Sequence, residues 1–207
     1  TGGALWSASI CDGGRCRSPP TVWASSPAVA GTCPEAITRA VVWAALWNAL
    51  RDGLVDPRRF VQSALVAVES EAEPAVRDRL LALAHSAIRD YLPGGARQGL
   101  RELLSAATIR YTRETGDADA ARAFTRAFIT EFEAYGPGAF TELVRGYAAG
   151  DDIDLAWRAR CALAARGLVD ADGITAWRDA DGSGEAQRHA ARALASLPDA
   201  DSRAGAW

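Results

Sequence analysis

Two histidines and four cysteines are the side chains of this sequence best suited to hold a metal, and their spacing tests whether they do. His85 and His189 are the only histidines, and over a hundred residues separate them. A zinc peptidase carries two imidazoles one helical turn apart with a glutamate between, because both rings must reach one ion from one face. Neither histidine has such a partner. Cys11 and Cys16 stand five apart, Cys33 follows a long gap, and Cys161 lies far downstream. Structural zinc sites repeat a short ligand pair twice. No second pair exists, so the expectation is a set of reduced thiols, with Cys161 in the core. His85 falls on the polar side of its helix with Asp78 and Arg89, which predicts a solvated ring. His189, in "QRHAAR", is expected to be exposed or at a helix edge.

Other chemistry is equally absent. There is no G-x-S-x-G elbow, P-loop or G-x-G-x-x-G fingerprint. The acid-rich stretches through Asp170, Asp172 and Gly173 and through "DADGSGE" faintly resemble calcium loops. Neither closes with the acid a twelve-residue loop requires, so both read as turns and helix caps. The acid pairs Glu69–Glu71 and Asp151–Asp152 sit at predicted helix ends, where capping and solvation account for them. On residues alone, no position is assigned to catalysis, cofactor binding or a metal.

The totals narrow the class. A net charge of -3 over 207 residues argues against a nucleic-acid surface, which needs a basic excess or stripe. No apolar run approaches the ~18 residues of a membrane span, and the first thirty residues lack the pattern of a signal peptide. The implied compartment is the cytoplasm. The chain has no Met, so Thr1 is no translation start, and all 23 basic residues are Arg. Together with the abundant Ala, this suggests GC-rich coding and a fragment.

The elements that would position any site are helices. Residues 1–33 are rich in Gly, Ser and Pro without a sustained period. They are expected to be irregular, with at most an extended piece near "TVWAS". From Pro34 one grammar repeats: a capping residue, an apolar stripe at helical spacing, then Gly or Pro. It predicts helices ending near Gly53, near residue 70, before "PGG" at 93–95, at Gly116, before "GPG" at 136–138, at Gly150 and at Gly167. Shorter helices are expected over 174–178, 185–197 and 199–207. Short connections make neighbouring helices antiparallel. Five hairpins result, near 34–70, 73–114, 117–149, 151–180 and 183–207. Five hairpins exceed one bundle core, so residues 34–207 are expected to form an all-α, curved solenoid of stacked helix pairs, of the HEAT or armadillo kind.

One stretch, "ITRAVVWAALWNALRDG" at 37–53, is apolar almost all round, which predicts cover from several sides and makes Trp43 and Trp47 buried anchors. Phe60, Leu65, Phe124, Phe128, Leu143 and Trp157 are expected in the core beside them.

The same stretch resembles the start of the helical C-terminal domain of the aminopeptidase N family of zinc-dependent aminopeptidases, in its actinobacterial form. The matching positions are Arg39, Ala40, Leu46, Trp47, Arg51 and Asp52. Residues 60–93 are similar in spacing to the next two family helices. "DLAWRARCALAARG" and "GEAQRHAARALASLPDADSRAGAW" resemble two later segments, although Arg203 stands where Lys is usual. The resemblance spans about residues 36–207, and residues 1–33 do not share it.

The resemblance implies an accessory domain, not itself catalytic, that closes the substrate chamber of an enzyme releasing N-terminal residues from peptides. Its partners would be the catalytic domain of the same polypeptide and the peptide substrate, with no nucleic acid and no membrane. Zinc belongs to the implied parent, since the zinc motif lies in a domain this chain lacks, and the chain itself needs no cofactor. Arg39 and Arg51 are conceivable substrate contacts, although an exposed Arg is usually only solvated. The alternative is a freestanding helical-repeat scaffold that binds a protein or peptide.

Overall fold

A computed structural model describes residues 10–12, 15–17, 33–132 and 140–198. The expected extended piece at 21–25, Tyr135 and the helix over 199–207 lie outside the described residues. Near the start, β1 (Ile10–Asp12) and β2 (Arg15–Arg17) pair antiparallel, with Cys11 opposite Cys16. This pair was not anticipated in a segment read as irregular, since strands of three residues are too short for period counting to detect. All the secondary structure described from residue 33 onward is helical.

The chain divides into two compact units, residues 1–100 and 101–207. In the first, α1 (Ala36–Arg51), α2 (Pro57–Ser70) and α3 (Pro74–Tyr91) precede α4 (Gly94–Glu114), whose opening turns close the unit. Local chemistry sets these limits. Pro57 and Pro74 occupy the first turns of α2 and α3, where a missing N–H costs nothing. The Asp56 carboxylate accepts the Arg58 N–H at 2.8 Å and caps α2. Just past the end of α1 stands Gly53, whose φ of +73° suits a residue without Cβ. There the Leu54 N–H donates to the Ala49 carbonyl at 2.8 Å and the Gly53 N–H to that of Leu50 at 3.0 Å. Those two bonds satisfy carbonyls that the helix end would otherwise leave open.

Helices α1 and α2 both pack against α3. The buried stripe of α2 is Phe60, Val61, Ala64, Leu65 and Val68, as the spacing predicts. Phe60 is the keystone: its ring centroid lies 5.7 Å from Trp43 and 5.8 Å from Trp47. Trp47 in turn meets Tyr91 edge-on at 5.5 Å.

One expectation needs correcting. Helix α1 is not covered from several sides. Trp43, Leu46, Ala49 and Leu50 are buried and Trp47 is half-buried, but Ile37 and Val41 are 73% and 63% exposed.

The second unit continues α4 and adds α5 (Ala118–Phe132), α6 (Thr141–Ala148), α7 (Ile153–Ala165), α8 (Ala171–Ala180) and α9 (Ala186–Ser196). Helix α7 is its hub, with α5, α6 and α9 packed on it. Ala156, Ala159, Ala162 and Ala164 on α7 are buried, and their small side chains let neighbouring helices approach closely. One core cluster joins Phe128, Phe132, Val144 and Leu163; another joins Trp157, Ile174, Ala190 and Leu197. Leu143 and Cys161, expected in the core, are partly buried and pack against these clusters.

Candidate functional site

The residues singled out for chemistry fall into two constellations, each inside one unit. In the first, Arg39 leaves α1 and meets Glu71, the residue that ends α2. Arg39 Nε donates to Glu71 Oε2 at 2.8 Å and Nη2 to Oε1 at 2.6 Å, a two-pronged pair. Arg39 Nη1 donates to the carbonyls of Cys33 and Pro34 at 3.0 and 2.9 Å. Four of the five N–H donors of a guanidinium are therefore directed to the protein's own chain.

Glu71 is 8% exposed, where the sequence suggested solvation. Its Oε1 also accepts the Glu73 N–H at 2.9 Å. The hydrogen bonds from Arg39, helped by that N–H and by the charges of Arg39 and Arg77, outweigh burial and hold the carboxyl below its usual range. Arg39 thus clasps the entry of α1 to the α2–α3 turn. Arg51 stays exposed in the last turn of α1, where a cation favours the helix end.

The second constellation surrounds Trp157 on α7, which is 2% exposed. Its indole N–H donates to Asp181 Oδ2 at 2.6 Å, and the His189 ring stacks on it at 5.5 Å with the planes 12° apart. The Arg160 guanidinium lies 4.8 Å from the Trp157 ring centroid and 5.4 Å from that of Trp177, within cation–π range of both. Arg160 Nε donates to the Ala148 carbonyl at 3.0 Å. The bond from Trp157 holds the Asp181 carboxyl below its usual range, with the Ser183 N–H and hydroxyl adding to the shift. Burial pushes Arg160 down from its ordinary value, and the Asp181 charge opposes this.

Together α6, α7, α8 and α9 meet here through α7 and the turn at Asp181. Sequence reasoning missed the cluster. The i, i+3 spacing of Trp157 and Arg160 on one helix was a legible signal, but nothing local announces Asp181 or His189 as their partners.

The predicted helix caps fall where spacing placed them. Asp170 caps α8 by accepting the Gly173 N–H at 2.9 Å, and Asp152 caps α7 by accepting the Leu155 N–H at 3.2 Å. Asp152 also pairs with Arg122 at 2.7 Å. His85, expected to be solvated, Cys161, expected in the core, and Cys33 are all half-buried. His189 is half-buried and stacked rather than simply solvated. Among the described residues no three of His, Cys, Asp and Glu converge as metal ligands. No helix among them is long and apolar enough to cross a membrane. Both constellations hold helices together, and neither presents a nucleophile beside a base.

Known proteins share this sequence pattern. A sequence model of the ERAP1-like C-terminal domain matches residues 15–207. Aminopeptidase N of Streptomyces lividans is 29% identical over 188 residues, a span covering 86% of this chain and 21% of that protein. The chain thus spans about a fifth of the length of the curated relative it matches.

Proposed function

The chain belongs to the ERAP1-like C-terminal domain family, and from that premise we propose that it serves as the accessory helical domain of a zinc aminopeptidase. In this reading, residues 34–207 form a curved stack of helix pairs that closes the substrate chamber of an enzyme releasing N-terminal residues from peptides. Its partners are the catalytic domain of the same polypeptide and the peptide, and it works in the cytoplasm. No residue of this chain is assigned to catalysis.

The observation that carries the proposal is the match to a C-terminal domain across nearly the whole chain, beside a relative called aminopeptidase N of which the matched span covers only 21%. The physical reading agrees with it. A catalytic zinc needs three convergent protein ligands and an open position. The described residues do not fit that ion, since no such ligand set occurs among them. The charged clusters are turned to internal contacts: Arg39 to Glu71, and Arg160 to two indoles and a carbonyl. Such a body contributes shape and support while its parent supplies the reacting groups.

Metal analysis after dialysis, run beside an aminoacyl-amide hydrolysis assay, tests this reading. The 207-residue chain alone is expected to hold no stoichiometric zinc and to show no turnover, whereas the polypeptide of its complete reading frame does both. Turnover by the chain alone that is lost in His85→Ala or His189→Ala would overturn the proposal. So would a complete reading frame without an H-E-x-x-H motif.

A further inference from the structure

The strand pair near the start of the chain carries two of its four cysteines. β1 and β2 run antiparallel with Cys11 directly opposite Cys16, Ile10 opposite Arg17 and Asp12 opposite Arg15. Residues directly opposite one another in such a ladder lie on one face. Their Cα atoms are about 4.5 or 5.5 Å apart, according to whether the pair exchanges hydrogen bonds. A disulfide spans Cα separations of about 4.4–6.8 Å, so either kind of register position meets its requirement. A slip of one residue would move one strand's residues to the other face and lose the match. Cys33 and Cys161 lie outside the two strands. Arg15 and Arg17 adjoin Cys16 in sequence, whereas Asp12 adjoins Cys11. Cationic neighbours favour the thiolate, the form of cysteine that attacks a disulfide.

From this juxtaposition we infer that Cys11 and Cys16 form a reversible dithiol–disulfide pair, oxidised by a small disulfide of the glutathione class. The Cys16 thiolate attacks one sulfur of oxidised glutathione, forming a Cys16–glutathione disulfide and releasing a glutathione thiolate. The Cys11 thiolate then attacks the Cys16 sulfur, forming the Cys11–Cys16 bond and releasing the second glutathione thiolate. The two cysteine thiols give up two electrons and two protons, and the two glutathione molecules take up both. In a reducing compartment the pair rests as thiols and closes as oxidised glutathione accumulates. A lone two-stranded ladder is marginally stable in water, and the new bond ties these three-residue strands in their register. No residue of the pair carries the accessory-domain reading, so the two are tested separately.

Peptide mapping of the 207-residue chain tests the pair. The folded, reduced chain is incubated with oxidised glutathione, its remaining thiols are blocked by alkylation, and it is digested with trypsin. Cleavage after arginine places the four cysteines on four peptides, 1–15, 16–17, 18–39 and 161–166, so every pairing has its own mass. Peptide 1–15 is expected to be joined to 16–17 at least about tenfold more abundantly than any other pairing, because the ladder raises the effective concentration of one thiol at the other. Dithiothreitol should release the link. The same incubation in denaturant separates register from nearness in sequence. There the Cys11–Cys16 link should form at least about tenfold less, since the spacing persists and the ladder does not. A Cys11→Ser chain should stop at the glutathione mixed disulfide on Cys16. Equal linkage in the folded and unfolded chains would overturn the inference. So would a preferred pairing through Cys33 or Cys161, or glutathione retained on both Cys11 and Cys16 of the wild-type chain. An unmodified Cys16 in the Cys11→Ser chain would overturn it too, because exchange would then not begin there.

Discussion

Replacing Phe60 tests what holds the first unit together. Its ring lies within 6 Å of both Trp43 and Trp47, centroid to centroid, and is 2% exposed. Phe60→Ala empties that position and should cost about 3–5 kcal/mol, the usual range for a buried aromatic truncated to Ala. Phe60→Leu keeps most of the volume but loses two ring pairs. Aromatic pairs contribute about 0.5–1.5 kcal/mol each beyond area burial, so the Leu variant should lose about 1–3 kcal/mol. Domains are stable by about 5–15 kcal/mol in total, which makes both losses measurable. Native-state hydrogen exchange, read on peptides from α1 and α2, suits a chain with two compact units because it reports free energies locally. A Phe60→Leu loss below about 0.5 kcal/mol would show that the rings act only as filler. A Phe60→Ala loss below about 1 kcal/mol would refute the packing argument itself.

The Glu71 carboxyl is held below its usual range in the folded state, so its contribution is present above the unfolded pKa of about 4.3 and is lost as pH falls through the lower folded value. Acid titration of stability should therefore decline below about pH 4.5, and Glu71→Gln should flatten that limb; an unchanged limb would contradict the clasp. Asp170→Ala removes the cap of α8 and should cost about 1 kcal/mol in urea unfolding. A Cβ at Gly173 would meet Val169 Cγ2 at 2.6 Å, so Gly173→Ala should destabilise, although propensity alone predicts a gain of about 1 kcal/mol. Ile37→Asp should leave the melting of the 207-residue chain nearly unchanged, because exposed substitutions usually stay within about 0.5 kcal/mol.

Much of the helical layout was legible because its signals are local. Gly53 and Gly167 were read as stops, and both have positive φ. Each is followed by a residue whose N–H reaches back five positions, Leu54 to Ala49 and Leu168 to Leu163. Asp56, Asp152 and Asp170 cap helices through side-chain bonds that reach two or three residues along the chain. The stripe of α2 buries the residues its spacing selects, and α5 buries Phe124, Phe128 and Phe132. What sequence did not reveal depends on distant partners. Glu71 looked like a solvated helix end because Arg39 stands 32 residues away. Asp181 looked like a turn residue because its indole partner is 24 residues upstream. Leu103 on α4 sits at helical spacing with Leu100, Leu104 and Tyr111 yet is 41% exposed, since spacing names a face but not how far a neighbouring helix extends over it.

The all-round apolarity of α1 misled for a different reason. Apolar pattern records every surface a residue is built to cover, and solvent exposure in one chain records only the surfaces that chain itself supplies. Where the two agree, as at Trp43 and Leu46, the pattern has found its partner within the chain. Where they disagree, as at Ile37 and Val41, apolar surface stays exposed among the described residues, at an unfavourable cost in hydration. The exposed sides of α2 and α3 carry Arg58, Arg59, Asp78 and Arg79, although α2 also exposes Val66 at 72%. A single exposed apolar residue such as Val66 is ordinary on a folded surface, and what sets α1 apart is that Ile37 and Val41 share one exposed face with Ala40, Ala44 and Ala45.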